Sequence, residues 1–159
     1  MKIKDVMIKK VISVKRATPL RDIMEIFKNF HSFPVLPVVD NENRVVGIIT
    51  FDDILKVFSP HNIYLSKILR SVTLLEEDQM DLSIVDLPPE AGILFVADDL
   101  MNPEFITIDE EELINKAHSL MKMYKRDRII VVDKEKKLVG IVSLFDIILG
   151  IFKEKGICH

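Results

Sequence analysis

Along the chain, apolar positions change twice, and in the same order, between a helical and an extended rhythm. After the short apolar run Val11-Ile12-Ser13-Val14 come Thr18-Pro19, then Leu20, Ile23, Met24, Phe27 and Phe30. The spacing i, i+3, i+4, i+7 predicts a helix with one buried face. Thr18 is read as its N-cap and Pro19 as its first helical residue. Val35 to Val39 reads as a buried strand, Asn41-Glu42-Asn43 as a turn, and Arg44 to Ile49 as the returning strand. Thr50 opens a second helix carrying Ile54, Leu55, Val57 and Phe58. The unit is β-α-β-β-α.

The same order returns later. Phe105-Ile106-Thr107-Ile108 is the first strand, and Leu113, Ala117, Leu120, Met121 and Tyr124 line the helix. Ile129 to Val132 and Lys137 to Val142 form the hairpin, Ser143 opens the last helix, and Met101 echoes Met7. Between Val38–Ile54 and Val131–Ile147, 93 residues apart, 9 of 17 positions are identical without a gap. The repeats are bounded at residues 1–58 and 98–159, with 59–97 between them. One unit of about 50 residues is too small to bury a sufficient core alone. The expected fold is therefore α/β (α+β), two repeats packed as one pseudo-two-fold domain. The intervening segment contains a candidate helix at Ile63 to Leu69, a break at Pro88-Pro89 and a candidate short strand at Ile93 to Val96. As a plain connection it is long, so an interaction role is considered for it.

Composition narrows the classes. A net charge of −3 argues against nucleic acid, whose binders carry a basic patch. The single cysteine, Cys158, forms no internal disulfide and suits a reducing, cytoplasmic setting. No signal-peptide core or run of 18 apolar residues is seen, so no membrane association is expected. The absence of Trp and the abundance of Lys, Glu and Ile lean towards a thermophilic source. His31, His61, His118 and His159 share no metal-like spacing, so no metal site is expected. No nucleophile stands with a matched base, and no P-loop or Rossmann fingerprint occurs, so an enzyme is not expected.

The candidate chemistry is repeated with the fold. Thr50-x-x-Asp53 and Ser143-x-x-Asp146 each stand where a strand hands over to a helix. The pattern is a helix capping box. It also sets a hydroxyl and a carboxylate beside free helical N–H groups, an arrangement suited to a phosphate and a ribose.

Leu36-Pro37-Val38-Val39-Asp40, a turn, Val46-Gly47-Ile48-Ile49-Thr50-x-x-Asp53, preceded by Thr18-Pro19-Leu20, resembles the CBS domain. The chain resembles one tandem pair of such domains, a Bateman module, with nothing attached. The resemblance implies two clefts between the repeats that bind an adenosine compound: AMP, ADP, ATP or S-adenosylmethionine. It implies that Asp53 and Asp146 hold ribose hydroxyls, with Thr50 and Ser143 beside them. It further implies a homodimer associated through helices, and a regulated protein whose identity the sequence does not give.

The two clefts are expected to differ. The main one, at Ser143 and Asp146, would receive Arg128 with Ile12, Ser13, Thr18, His31, Phe33 and Val35. The second, at Thr50 and Asp53, would receive Thr107 and Arg126, with Glu111 or Glu112 in place of Thr18. Carboxylates there would repel phosphate, so this cleft is expected to be empty, weaker, or filled by a ligand of little negative charge. The resulting function is a nucleotide-sensing regulatory module; the alternative is a dimerisation scaffold with degenerate clefts.

Overall fold

The structure, a computed structural model, describes residues 1–29, 35–55 and 88–159. Its elements are α1 (Ile3–Val6), β1 (Val14–Lys15), α2 (Leu20–Phe27), β2 (Leu36–Val39), β3 (Val45–Ile49) and α3 (Phe51–Leu55), then α4 (Ala91–Leu94) and α5 (Ala97–Leu100). Next come β4 (Thr107–Asp109), α6 (Ile114–Tyr124), β5 (Arg128–Val132), β6 (Leu138–Ser143) and α7 (Leu144–Glu154). Each repeat builds a three-stranded sheet, β1-β2-β3 or β4-β5-β6, with a parallel first pair and an antiparallel hairpin.

The duplicated hairpins match in detail. Asp40 Oδ1 accepts from the N–H groups of Glu42 and Arg44 at 2.8 and 2.9 Å, and Asp133 Oδ1 accepts from those of Glu135 and Lys137 at 2.8 and 3.0 Å. Each turn needs one left-handed residue, Asn43 (φ 64°) or Lys136 (φ 67°). A bulge follows at the same place, between Val38 and Val39 and between Val131 and Val132. One difference traces to a single residue. Thr107 pairs with Ile130, whereas β1 begins only at Val14 opposite Val38, leaving Pro37 without a partner on that side. Proline has no N–H to donate, so the parallel pairing starts one residue later.

The largest feature not anticipated is an exchange of leading segments. The core of repeat 2 gathers Ile108, Ala117, Met121, Ile129, Val131, Val142 and Ile147 around Ile3, which comes from the segment leading into the first strand of repeat 1. The core of repeat 1 in turn holds Ala97 and Leu100 from the chain ahead of repeat 2. The backbone follows: Ile8 and Ile141 exchange two hydrogen bonds of 2.8 and 3.0 Å, and Ile48 and Asn102 exchange two of 3.1 and 2.8 Å. Gly47 and Gly140 allow this approach. A Cβ on Gly47 would lie 2.6 Å from Met101 Sδ, and one on Gly140 2.8 Å from both Met7 Sδ and the Ile8 carbonyl. That is the physical content of the Met7 and Met101 echo.

Four expectations need correction. Thr18 does not cap α2: Pro19 is the N-cap, and the Thr18 hydroxyl accepts from the Lys15 N–H at 3.0 Å. Ile93 to Val96 is not a strand; α4 covers Ala91–Leu94, and only Val96 bridges, to Pro19. Leu113 and Tyr124 lie at the ends of α6 and are exposed, while Ala117 and Met121, expected on the same face, are buried. Glu111 turns to the exchanged leader, where it accepts from Lys2 Nζ and Lys4 Nζ, each at 2.7 Å. The expectations for Phe30, Val57, Phe58 and Ile63 to Leu69 lie outside the described residues.

Candidate functional site

Both hydroxyl–carboxylate motifs form at strand ends. At the end of β3, Asp53 Oδ2 accepts from the Thr50 N–H at 2.8 Å and from the Thr50 hydroxyl at 3.0 Å. At the end of β6, Asp146 Oδ2 accepts from the Ser143 N–H and hydroxyl, both at 2.7 Å, and the Asp146 N–H donates back to Ser143 Oγ at 3.1 Å. The full capping box is realised at Ser143 and Asp146, whereas at Thr50 and Asp53 the carboxylate accepts from both the N–H and the hydroxyl; one carboxylate oxygen of each aspartate is committed to these bonds. Asp53 is buried at 5% exposure, while Asp146 is half-buried.

A cavity of about 380 Å³ lies between the repeats. Repeat 1 contributes Val35 and Ile48; repeat 2 contributes the approach to β4 (Asn102, Glu104, Phe105, Ile106), the end of α6 and the start of β5. Arg126 and Arg128 both face it. Apolar walls with a few convergent polar groups are the usual make-up of a small-molecule site, and the volume sits near the lower end of the usual range of about 300–1,000 Å³.

The cavity joins Val35, Arg126 and Arg128, residues assigned from sequence to two different clefts. Arg126 precedes β5, which begins at Arg128, so strand alternation does not account for their common destination. Thr107 follows lining residue Ile106, and Thr50 stands two residues beyond lining residue Ile48, but neither is itself in the wall; nor are Asp53, Ser143 and Asp146. Ile12 is exposed, Ser13 is half-buried, and Thr18 contacts Lys15 and Ala97. His31 and Phe33 lie outside the described residues. Asn102, Glu104, Phe105, Ile106 and Tyr124 were missed. Applying the two-fold to Ile12 would have found Ile106, since Val14 and Ile108 occupy the same place in their sheets.

Electrostatics changes sides with this placement. The Lys2 and Lys4 ammonium groups, by hydrogen bonding first and charge second, hold the Glu111 carboxyl down at about 2. Its charge is answered at the leader, away from the cavity wall. Glu112 is engaged by Lys116 at 2.5 Å. The repulsion expected from this turn is not aimed into the cavity. Among the described residues, no group of three His, Cys, Asp or Glu side chains could hold a metal ion, and no helix is long and apolar enough to cross a membrane.

Comparison with known proteins decides the family. The CBS-domain family model matches twice, over residues 3–60 and 96–153. The chain belongs to the CBS-domain family. It is a tandem CBS pair. An uncharacterized protein of Methanocaldococcus jannaschii is 32% identical over 161 residues, covering 93% of this chain and 89% of that protein. An inosine-5′-monophosphate dehydrogenase of the same organism is 28% identical across 91% of this chain, but the match spans only 22% of the enzyme. Among solved structures, the CBS-pair protein CBSX2 of Arabidopsis thaliana, solved with AMP, has a TM-score of 0.68 at 22% identity over 97% of this chain and 98% of its own. A CBS pair solved with 5′-methylthioadenosine and S-adenosyl-L-methionine has a TM-score of 0.64 at 22% identity, covering 98% of both chains. At these identities the likeness establishes the fold.

Proposed function

We propose that this CBS pair is a regulatory module that binds a phosphorylated adenosine ligand in the cavity between its repeats and passes the change to a partner protein. The observation that carries the proposal is the convergence of Arg126 and Arg128 on an apolar cavity built from both repeats. Guanidinium groups bind phosphate through charge-assisted, often bidentate hydrogen bonds. The apolar side chains of Val35, Ile48, Phe105 and Ile106 suit a base and ribose. Two structural neighbours were solved with adenosine compounds, AMP in one and 5′-methylthioadenosine with S-adenosyl-L-methionine in the other, which supports an adenosine ligand. Asp53 and Asp146 are proposed to receive ribose hydroxyls in the two clefts, with Thr50 and Ser143 holding them. Ile12, Ser13 and Thr18 are proposed for the Ser143 and Asp146 cleft and Thr107 for the Thr50 and Asp53 cleft, while His31 and Phe33 lie outside the described residues.

Because the cavity contacts both repeats, a ligand that binds one relative arrangement better shifts the population towards it. Thermal melting against AMP, ADP, ATP and S-adenosylmethionine tests the proposal. A ligand at 100 times its dissociation constant raises stability by about 2.7 kcal/mol, roughly 5–10 °C for a chain of this size. No shift with any of the four contradicts the proposal. A second role, homodimerisation, is favoured by the exposed apolar face of α7, where Phe145, Ile148 and Phe152 recur at helical spacing.

A further inference from the structure

Among the described residues, three charged side chains line the cavity, and one of them has the wrong sign for a phosphate site. Arg126, Arg128 and Glu104 share a wall whose other described residues are neutral. Glu104 is an exposed residue on an anchored stretch of backbone. Asn102 is locked to Ile48 by the paired backbone bonds of 3.1 and 2.8 Å, and its side-chain Oδ1 accepts the Glu104 N–H at 2.9 Å. The segment that brings Glu104 to the cavity is thus tied to repeat 1 two residues upstream. Among the described residues, the Glu104 carboxylate makes no hydrogen bond or ion pair, and neither does the Arg126 guanidinium. Lys2, Lys4 and Lys116 neutralise the neighbouring acidic turn but leave Glu104 unanswered.

A carboxylate that shares the cavity wall with two cations adds a repulsive contribution for every negative charge the cavity receives. Coulomb energy scales with the product of the charges, so the penalty from Glu104 is nil for a neutral nucleoside and grows with each added phosphate. The modest cavity volume of about 380 Å³ acts in the same direction. We propose that Glu104 is a specificity-determining residue that makes this cavity favour a nucleoside monophosphate over the di- and triphosphate. The inference rests on the reading of the cavity as a phosphorylated-adenosine site.

Calorimetric titration of the full chain and of Glu104→Gln with adenosine, AMP, ADP and ATP tests it, at fixed ionic strength and with divalent cations chelated. The ratio of variant to native affinity should be near one for adenosine and climb along the series to roughly tenfold for ATP. Glu104→Asp, which keeps the charge, should preserve the native order. A ratio that is the same for all four ligands overturns the proposal, as does a native chain that already binds ATP more tightly than AMP. If no ligand of the four binds either chain, the cavity assignment itself has failed, a result distinct from AMP binding that ignores position 104.

Discussion

Gly47 and Gly140 hold the same place in the two repeats, yet a methyl group would meet different neighbours. At Gly47 it would press on the flexible Met101 side chain; at Gly140 it would also meet the backbone carbonyl of Ile8, which cannot swing aside. Overpacking of this kind costs about 1–3 kcal/mol. Gly140→Ala should therefore lower the denaturation midpoint clearly, and Gly47→Ala less; equal losses by chemical denaturation would contradict the account. The turn aspartates and the Thr50 and Ser143 motifs were visible in the sequence, because each acts within a few residues of itself. The destination of Arg128 was not. Its backbone neighbours Ser143 across the hairpin, but its side chain lines a cavity with Ile48 and Phe105, a matter of how the two repeats sit together.

Among the elements, the hairpins and the long helix α6 were legible from period, whereas the leaders α1 and α5 were not. Each is a single turn of four residues, too short to show periodicity, and each packs on the repeat that it does not precede. Ile3 is fully buried in the core of repeat 2. Ile3→Ala should cost about 2–5 kcal/mol, with loss of hydrogen-exchange protection in β5 of repeat 2. Protection lost only within repeat 1 would contradict the exchange. The leader also brings a pH dependence. The carboxyl of Glu111 is lowered from 4.5 to about 2, so its contribution is fully present above pH 4.5 and is lost as pH falls towards 2. In Glu111→Gln, acid unfolding should lose part of its steepness in that window, measured by circular dichroism; an unchanged acid limb would contradict the latch.

At the scale of the whole molecule, shared cores make the repeats one cooperative body. Thermal unfolding should show a single transition with matching calorimetric and van't Hoff enthalpies. The outer face of α7 is where association is expected. Phe145 is 67% exposed and Phe152 45% exposed, a surface that water does not favour. Phe145→Glu with Phe152→Glu should convert a dimer to a monomer by light scattering without changing the melting cooperativity. The most direct measurement is AMP titration of the native chain against Arg126→Ala with Arg128→Ala. The account predicts saturable binding to the native chain, weakened at least tenfold in the double variant while its melting profile is kept. AMP binding with equal affinity to both, or to neither, would contradict it.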